Sequence, residues 1–138
     1  MANQIIVQVR QTGPSTSLAS IRQHSVQIDR PEAKGGADQG PMGGELFLAA
    51  VGGCFMSTLL AAIRSREAAV TEVQTQVTGT LTDAPVRFSS VELSLSAKCD
   101  DPDLLAKLSE IADRGCIMMN TLRGSLDLTV KVQSAVSA

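Results

Sequence analysis

The chain has 138 residues, 43% hydrophobic and 19% charged, with a formal net charge of −2. That length fits a single domain, 1–138, able to bury a real core, and the balance excludes a disordered chain. With no run of Lys or Arg and only 2% aromatic residues, the basic face and stacking platforms of a nucleic-acid binder are missing. Met1 to Val7 shows neither a basic n-region nor a small-residue cleavage site, so no secretory signal is expected. Three widely spaced cysteines argue against a secreted disulfide scaffold and make a reducing cytoplasm the expected compartment.

In chain order, residues 4–10 read as a strand, Gly13-Pro14-Ser15 as a turn, and 18–29 as a second extended stretch with Ile21, Val26 and Ile28. Residues 30–44 are rich in Gly and Pro and read as loop. A long helix is expected over about 44–66. Its uncharged run Leu46 to Ile63 spans 18 residues, close to the minimum for a membrane span. Gly52, Gly53, Cys54, Ser57 and Thr58 lower its hydropathy, however, and no aromatic belt flanks it. The expectation is a buried central helix, apolar all round, in a core or at a subunit interface, with no membrane span.

Thr71 to Leu81 alternates through Val73, Thr75, Val77 and Gly79, and Val86 to Ala97 alternates through Val91, Leu93 and Leu95. With Asp83-Ala84-Pro85 as the turn, this is a hairpin with one buried face. The phase slips between Phe88 and Val91, where a bulge is expected. Asp101 as N-cap and Pro102 at the first position open a second helix. Its stripe is Leu104, Leu105, Leu108, Ile111 and Ala112, and Arg114-Gly115 ends it. Ser125 to Val132 alternates as a last strand. The order predicts an α+β domain with a largely antiparallel sheet.

His24 is the only histidine, which excludes a His-rich zinc site and leaves it as a partly exposed structural residue. No metal and no bound cofactor are expected. Gly35 to Gly40 matches neither GxxxxGKS/T nor GxGxxG and reads as a flexible loop. The cysteines carry more information. Cys54 follows two glycines inside the central helix; each costs about 1 kcal/mol there, so a close approach of another backbone or room beside the sulfur should compensate. Ala50, Val51, Ser57 and Thr58 flank it one turn away. Cys116 follows Gly115 at a helix end, where rearrangement is cheap. A thiol fixed in a helix and a second at a helix end suit a two-cysteine peroxide reductase, in which a sulfenic acid condenses to a disulfide. By composition alone, two packing cysteines remain the other reading. A free thiol with pKa about 8.5 is only a few per cent thiolate near neutrality. Because a helix dipole fades beyond the first turn and Cys54 lies about ten residues in, an arginine from elsewhere is the natural activator.

Gly40-Pro41-Met42-Gly43-Gly44-Glu45-Leu46-Phe47-Leu48-Ala49-Ala50-Val51-Gly52-Gly53-Cys54 closely resembles the GP-x-x-x-ELLLAALGGC motif of the OsmC/Ohr superfamily. His24 to Pro31, Lys34 to Gly40 and Gly115 to Gly124 fit the same family in order. The resemblance implies an intertwined homodimer with sites at the subunit interface and a long central helix. It implies reduction of organic hydroperoxides, with Cys54 peroxidatic and Cys116 resolving, and recycling by an external dithiol of dihydrolipoyl type. It further implies an activating arginine from the N-terminal strands, best matched by Arg10 and next by Arg22, held by an acid near the helix start. That acid normally stands ten residues before the cysteine, where this chain has Gly44; its own Glu45 is nine before, on the opposite side of a regular helix. Glu45 therefore reads either as the arginine holder or as a helix-capping acid. Ile117 stands where proline is usual after the second cysteine. Cys99 matches no family position and reads as structural. Two alternatives remain: a weakly active member serving as a binding module for a small hydrophobic or electrophilic ligand beside Cys54, and a small membrane protein anchored through residues 46–63.

Overall fold

The computed structural model describes residues 3–136, and the chain divides after Phe47 into two compact units. In the first, β1 (Gln8–Gln11), β2 (Ser17–Ile21) and β3 (His24–Ile28) form an antiparallel sheet in that order. The strand expected over 4–10 begins only at Gln8, which pairs with Ser20. Residues 4–7 lie outside the registered pairs of β1 with β2, and β2 ends at Ile21 where the chain turns at Arg22 with a φ of 55°. Ile5, Ile6 and Val7 are accordingly exposed. That same turn makes the stretch 18–29 a hairpin rather than one strand.

After β3, the loop is organised around Asp29, which is 2% exposed. Its carboxylate accepts the N–H groups of Arg30 (2.7 Å), Ala37 (3.1 Å) and Gln39 (3.1 Å). Its own N–H donates to the Pro41 carbonyl at 3.1 Å. Burial opposes the charge, but these amides and the Ser15 hydroxyl outweigh it and hold the carboxyl below its ordinary pKa. The expected flexible loop is thus a hydrogen-bonded one, with a 3₁₀ turn at Glu32–Lys34.

Helix α1 (Gly43–Ser65) leads into the second unit. There β4 (Thr71–Asp83), β5 (Val86–Lys98) and β6 (Asp127–Val136) form a second sheet, with α2 (Pro102–Gly115) and α3 (Ile117–Leu122) between its last two strands. The α+β class holds, but the antiparallel sheet expected becomes two three-stranded sheets, one of them mixed. β4 and β5 pair antiparallel, whereas β6 runs parallel to β5. A parallel neighbour needs a crossover, and α2 with α3 supplies it. The expected bulge is present: Thr80 pairs with Ser90 and Leu81 with Phe88, leaving Ser89 extra. Asp101 caps α2 by accepting from Asp103 N–H (3.1 Å) and Leu104 N–H (3.2 Å), with Pro102 at its start.

The core lies on one face of this sheet. Val91, Leu93 and Leu95 point inward and are fully buried with Val51, Phe55 and Leu59 of α1 and Leu105 of α2. Each such side chain contributes about 1.5–3 kcal/mol. The expectation of a helix buried all round is corrected within the chain. Val51, Gly52, Phe55, Leu59 and Ala62 of α1 are buried, while Ala49, Ala50, Gly53 and Leu60 are exposed. By length and composition α1 could cross a bilayer, and 33% of its most apolar window is buried. Its apolar character exceeds what its own sheet covers.

Candidate thiol site

Cys54 lies in the middle of α1, where the two preceding glycines do different work. A Cβ on Gly52 would come within 2.7 Å of the Val77 side chain, so the absence of one lets α1 sit close on β4. A Cβ on Gly53 would meet nothing within 4 Å. One glycine permits the packing, and the other lies on the exposed side of the helix. Thr58 donates its hydroxyl to the Cys54 carbonyl at 3.2 Å, one turn on.

The second sulfur arrives from the end of α2. Gly115 is close enough to Thr58 that a Cβ would lie 3.1 Å from its methyl group. This approach delivers Cys116, fully buried, to the half-buried Cys54. Both thiols are free. Cys116 has extended backbone (φ −84°, ψ 121°), ends α2 and begins α3.

The two sulfurs are driven apart in acidity. For Cys54, burial disfavours the thiolate, but the Met118 N–H, the Cys116 thiol and the Ile117 N–H favour it. The net effect is a pKa below the ordinary thiol value. For Cys116, burial is the leading cause and raises the pKa. The Met119 and Met118 amides oppose this, while the bond to Cys54 and the negative charge developing there add to it. The two directions favour the thiolate at Cys54 and the thiol at Cys116.

The structure brings Cys54 and Cys116 together. The other sequence candidates belong to the first unit. Arg10 is exposed on β1, and Arg22 occupies the β2–β3 turn. Glu45 accepts the Met42 N–H at 2.8 Å, the return half of a capping box at the start of α1. His24 is exposed at the start of β3. Cys99 is buried, and its thiol donates to the Asp101 carbonyl at 3.1 Å. Among the described residues, no group of three or more His, Cys, Asp or Glu could hold a metal ion.

Sequence reasoning missed the α3 amides that favour the Cys54 thiolate. They are backbone amides, so their residue types carry no signal, and the short helix Ile117–Leu122 has no side-chain N-cap to announce it.

A family model described as OsmC-like protein matches residues 35–131. A search of curated proteins found no significant match. Among solved structures, an OsmC-like protein from Mycoplasma pneumoniae is similar at 17% identity with a TM-score of 0.84, covering 98% of this chain and 99% of the other. An organic hydroperoxide resistance protein from Elizabethkingia anophelis is 22% identical with a TM-score of 0.72, each chain covered fully, 100% and 100%. An organic hydroperoxide resistance protein from Bacillus subtilis is 20% identical with a TM-score of 0.66, covering 92% of this chain and 97% of that one.

Proposed function

This chain belongs to the OsmC-like family, and on that premise we propose that it is a thiol-dependent peroxidase reducing organic hydroperoxides in the oxidative stress response. The observation that carries the proposal is the Cys54–Cys116 pair, two free thiols side by side and shifted in opposite directions. The name organic hydroperoxide resistance protein, borne by structural neighbours, supports the substrate class.

In the first step the Cys54 thiolate attacks the terminal peroxide oxygen. An S–O bond forms, the O–O bond breaks, and the alkoxide leaves as the alcohol after taking a proton. Cys54 is now a sulfenic acid. The Cys116 sulfur attacks it, an S–S bond forms, and water leaves with the Cys116 proton. An external dithiol of dihydrolipoyl type returns both thiols through a mixed disulfide. A reducing compartment such as the cytoplasm suits that cycle. Arg10 and Glu45 enter the proposal as an additional cation and acid implied by the family resemblance.

A second copy of the chain completes the proposal. Leu60 on the open face of α1, 43% exposed, and Ile5, Ile6 and Val9 in the first unit leave apolar surface bare, and a homodimer would cover it. Light scattering should give about twice the 14.4 kDa chain mass. A stable monomer at micromolar concentration removes this part.

The catalytic test is steady-state reduction of cumene hydroperoxide with dihydrolipoamide. Cys54→Ser should lose turnover completely; Cys116→Ser should consume about one equivalent of peroxide and stall or over-oxidise. Arg10→Ala should raise the pH midpoint of Cys54 alkylation by about 1–3 units if the cation acts on it. Wild-type turnover in Cys54→Ser sinks the peroxidase reading. A wild type that binds small electrophiles at Cys54 without turning over peroxide is instead a ligand-binding module.

A further inference from the structure

Cys116 stands at a break between two helices. Its extended backbone (φ −84°, ψ 121°) ends α2 and starts α3. In a continuous α-helix each N–H bonds the carbonyl four residues back, so the amides of Ile117 and Met118 would take the carbonyls of Asp113 and Arg114. The break withdraws those donors, and the last carbonyls of a helix then need partners from elsewhere. Two side chains further along supply them. Asn120 Nδ2 donates to the Arg114 carbonyl at 3.0 Å. Arg123 Nη2 reaches the Asp113 carbonyl at 3.4 Å and pairs with the Asp113 carboxylate at 3.1 Å. The same nitrogen donates to Asn120 Oδ1 at 3.2 Å, so the carboxamide is held at both of its ends. Arg123 is itself fixed at the end of α3, where its N–H donates to the Met119 carbonyl at 3.0 Å.

These bonds bracket the segment that carries the second thiol. Gly115 lies against Thr58, whose methyl group a Cβ at 115 would meet at 3.1 Å. Thr58 in turn donates to the Cys54 carbonyl at 3.2 Å, one turn away. The side chains of Arg123 and Asp113 are 50% and 30% exposed, and ion pairs that open to water add little to global stability. Their consequence is local. A disulfide needs its two Cβ atoms about 3.5–4.5 Å apart, so a loosened turn lowers the effective concentration of one thiol at the other. We propose that Asn120 and Arg123 are positioning residues for the thiol pair: standing in for the missing helical donors, they hold the break that presents Cys116 to Cys54 and so set how readily the two sulfurs join. The inference rests on those cysteines being the pair of the proposed function.

Asn120→Asp keeps the side chain's size and its acceptor for Arg123, and replaces the donor to the Arg114 carbonyl with an oxygen. Arg123→Ala removes every contact made by Nη2. Lys131→Ala is the control, since it cuts a comparable exposed ion pair of the same unit, Lys131 with Glu92 at 3.2 Å between β6 and β5. The full chain is equilibrated with mixtures of reduced and oxidised dithiothreitol and quenched with iodoacetamide, and the Cys54–Cys116 disulfide is read by peptide mass. In that exchange the protein disulfide gains two electrons and two protons as dithiothreitol closes to its own disulfide. No peroxide is involved.

The net contribution of one hydrogen bond corresponds to a change of roughly three- to tenfold in an equilibrium constant. Asn120→Asp and Arg123→Ala should each make the disulfide easier to reduce by that factor, and Lys131→Ala should overlay the wild type. A purely structural role would lower the thermal unfolding midpoint and leave this equilibrium where it was. Each residue stands or falls on its own variant: a wild-type equilibrium in Asn120→Asp removes Asn120, one in Arg123→Ala removes Arg123, and both together overturn the proposal. An equal shift in Lys131→Ala overturns it as well. Peroxide turnover measured alongside separates the two ideas. Shifted variants on a wild type without turnover leave this inference standing and remove the peroxidase reading; normal turnover with unshifted variants does the reverse.

Discussion

In the second unit Val91, Leu93 and Leu95 alternate into a core closed by Val51, Phe55 and Leu59 on one helix and Leu105 and Leu108 on another. Among the described residues of the first unit, only Ala19 and Asp29 are buried, and one of these is a carboxylate. The described core of the second unit is ordered by apolar burial, which is cumulative and insensitive to pH. The stretch from Asp29 to Pro41 is ordered by hydrogen bonds converging on a single charge. The thiols belong with the first kind of order. Attack on a peroxide and condensation with a second sulfur need atoms held to within fractions of an ångström, and a close-packed interior supplies that rigidity.

The comparison can be broken from the core side with a large expected effect. Leu95→Ala leaves a cavity among fully buried neighbours and should cost about 2–5 kcal/mol in denaturant unfolding. Cys54 and Cys116 should then lose their difference in alkylation rate, because their contact depends on that packing. Loss of less than 1 kcal/mol, with the thiol asymmetry intact, would show that the core does not hold the pair.

From the loop side the effect should be smaller and dependent on pH. Asp29 is held below its ordinary carboxylate pKa. It therefore favours the folded loop at pH values above the unfolded carboxyl pKa of about 3.9, and that contribution is lost as pH falls through the lower, folded value. In the wild type, the Ala37 and Gln39 amide resonances should stay constant through the ordinary carboxylate range and move only below it. Asp29→Asn should shift those amides at neutral pH while changing Cys54 alkylation little. Amides that titrate at the ordinary carboxylate pKa would contradict the reading, as would an Asp29→Asn variant with unmoved Ala37 and Gln39.

Much was legible in the residues. The Asp101 cap, the hairpin through Asp83-Ala84-Pro85, the bulge at Ser89 and the inward row Val91, Leu93, Leu95 follow from local chemistry and period, and each is present. The motif ending at Cys54 identified the family, which a family model over residues 35–131 shows. What local pattern could not carry was partnership. Residues 4–7 are apolar enough for a strand but lie outside the registered pairs of β1 with β2. The apolar circumference of α1 said that it would be covered, not by what.

The sequence by itself determined the second unit's core face and the two cysteines, because apolar period and residue type are written in single positions. Only the tertiary structure decided that β6 runs parallel to β5, since strand direction depends on where α2 and α3 return the chain. It alone decided that Cys116 comes beside Cys54, where the Met118 and Ile117 amides and the Cys116 thiol favour the Cys54 thiolate. A backbone N–H is common to every residue but proline, so no residue type could have revealed which ones converge on the sulfur.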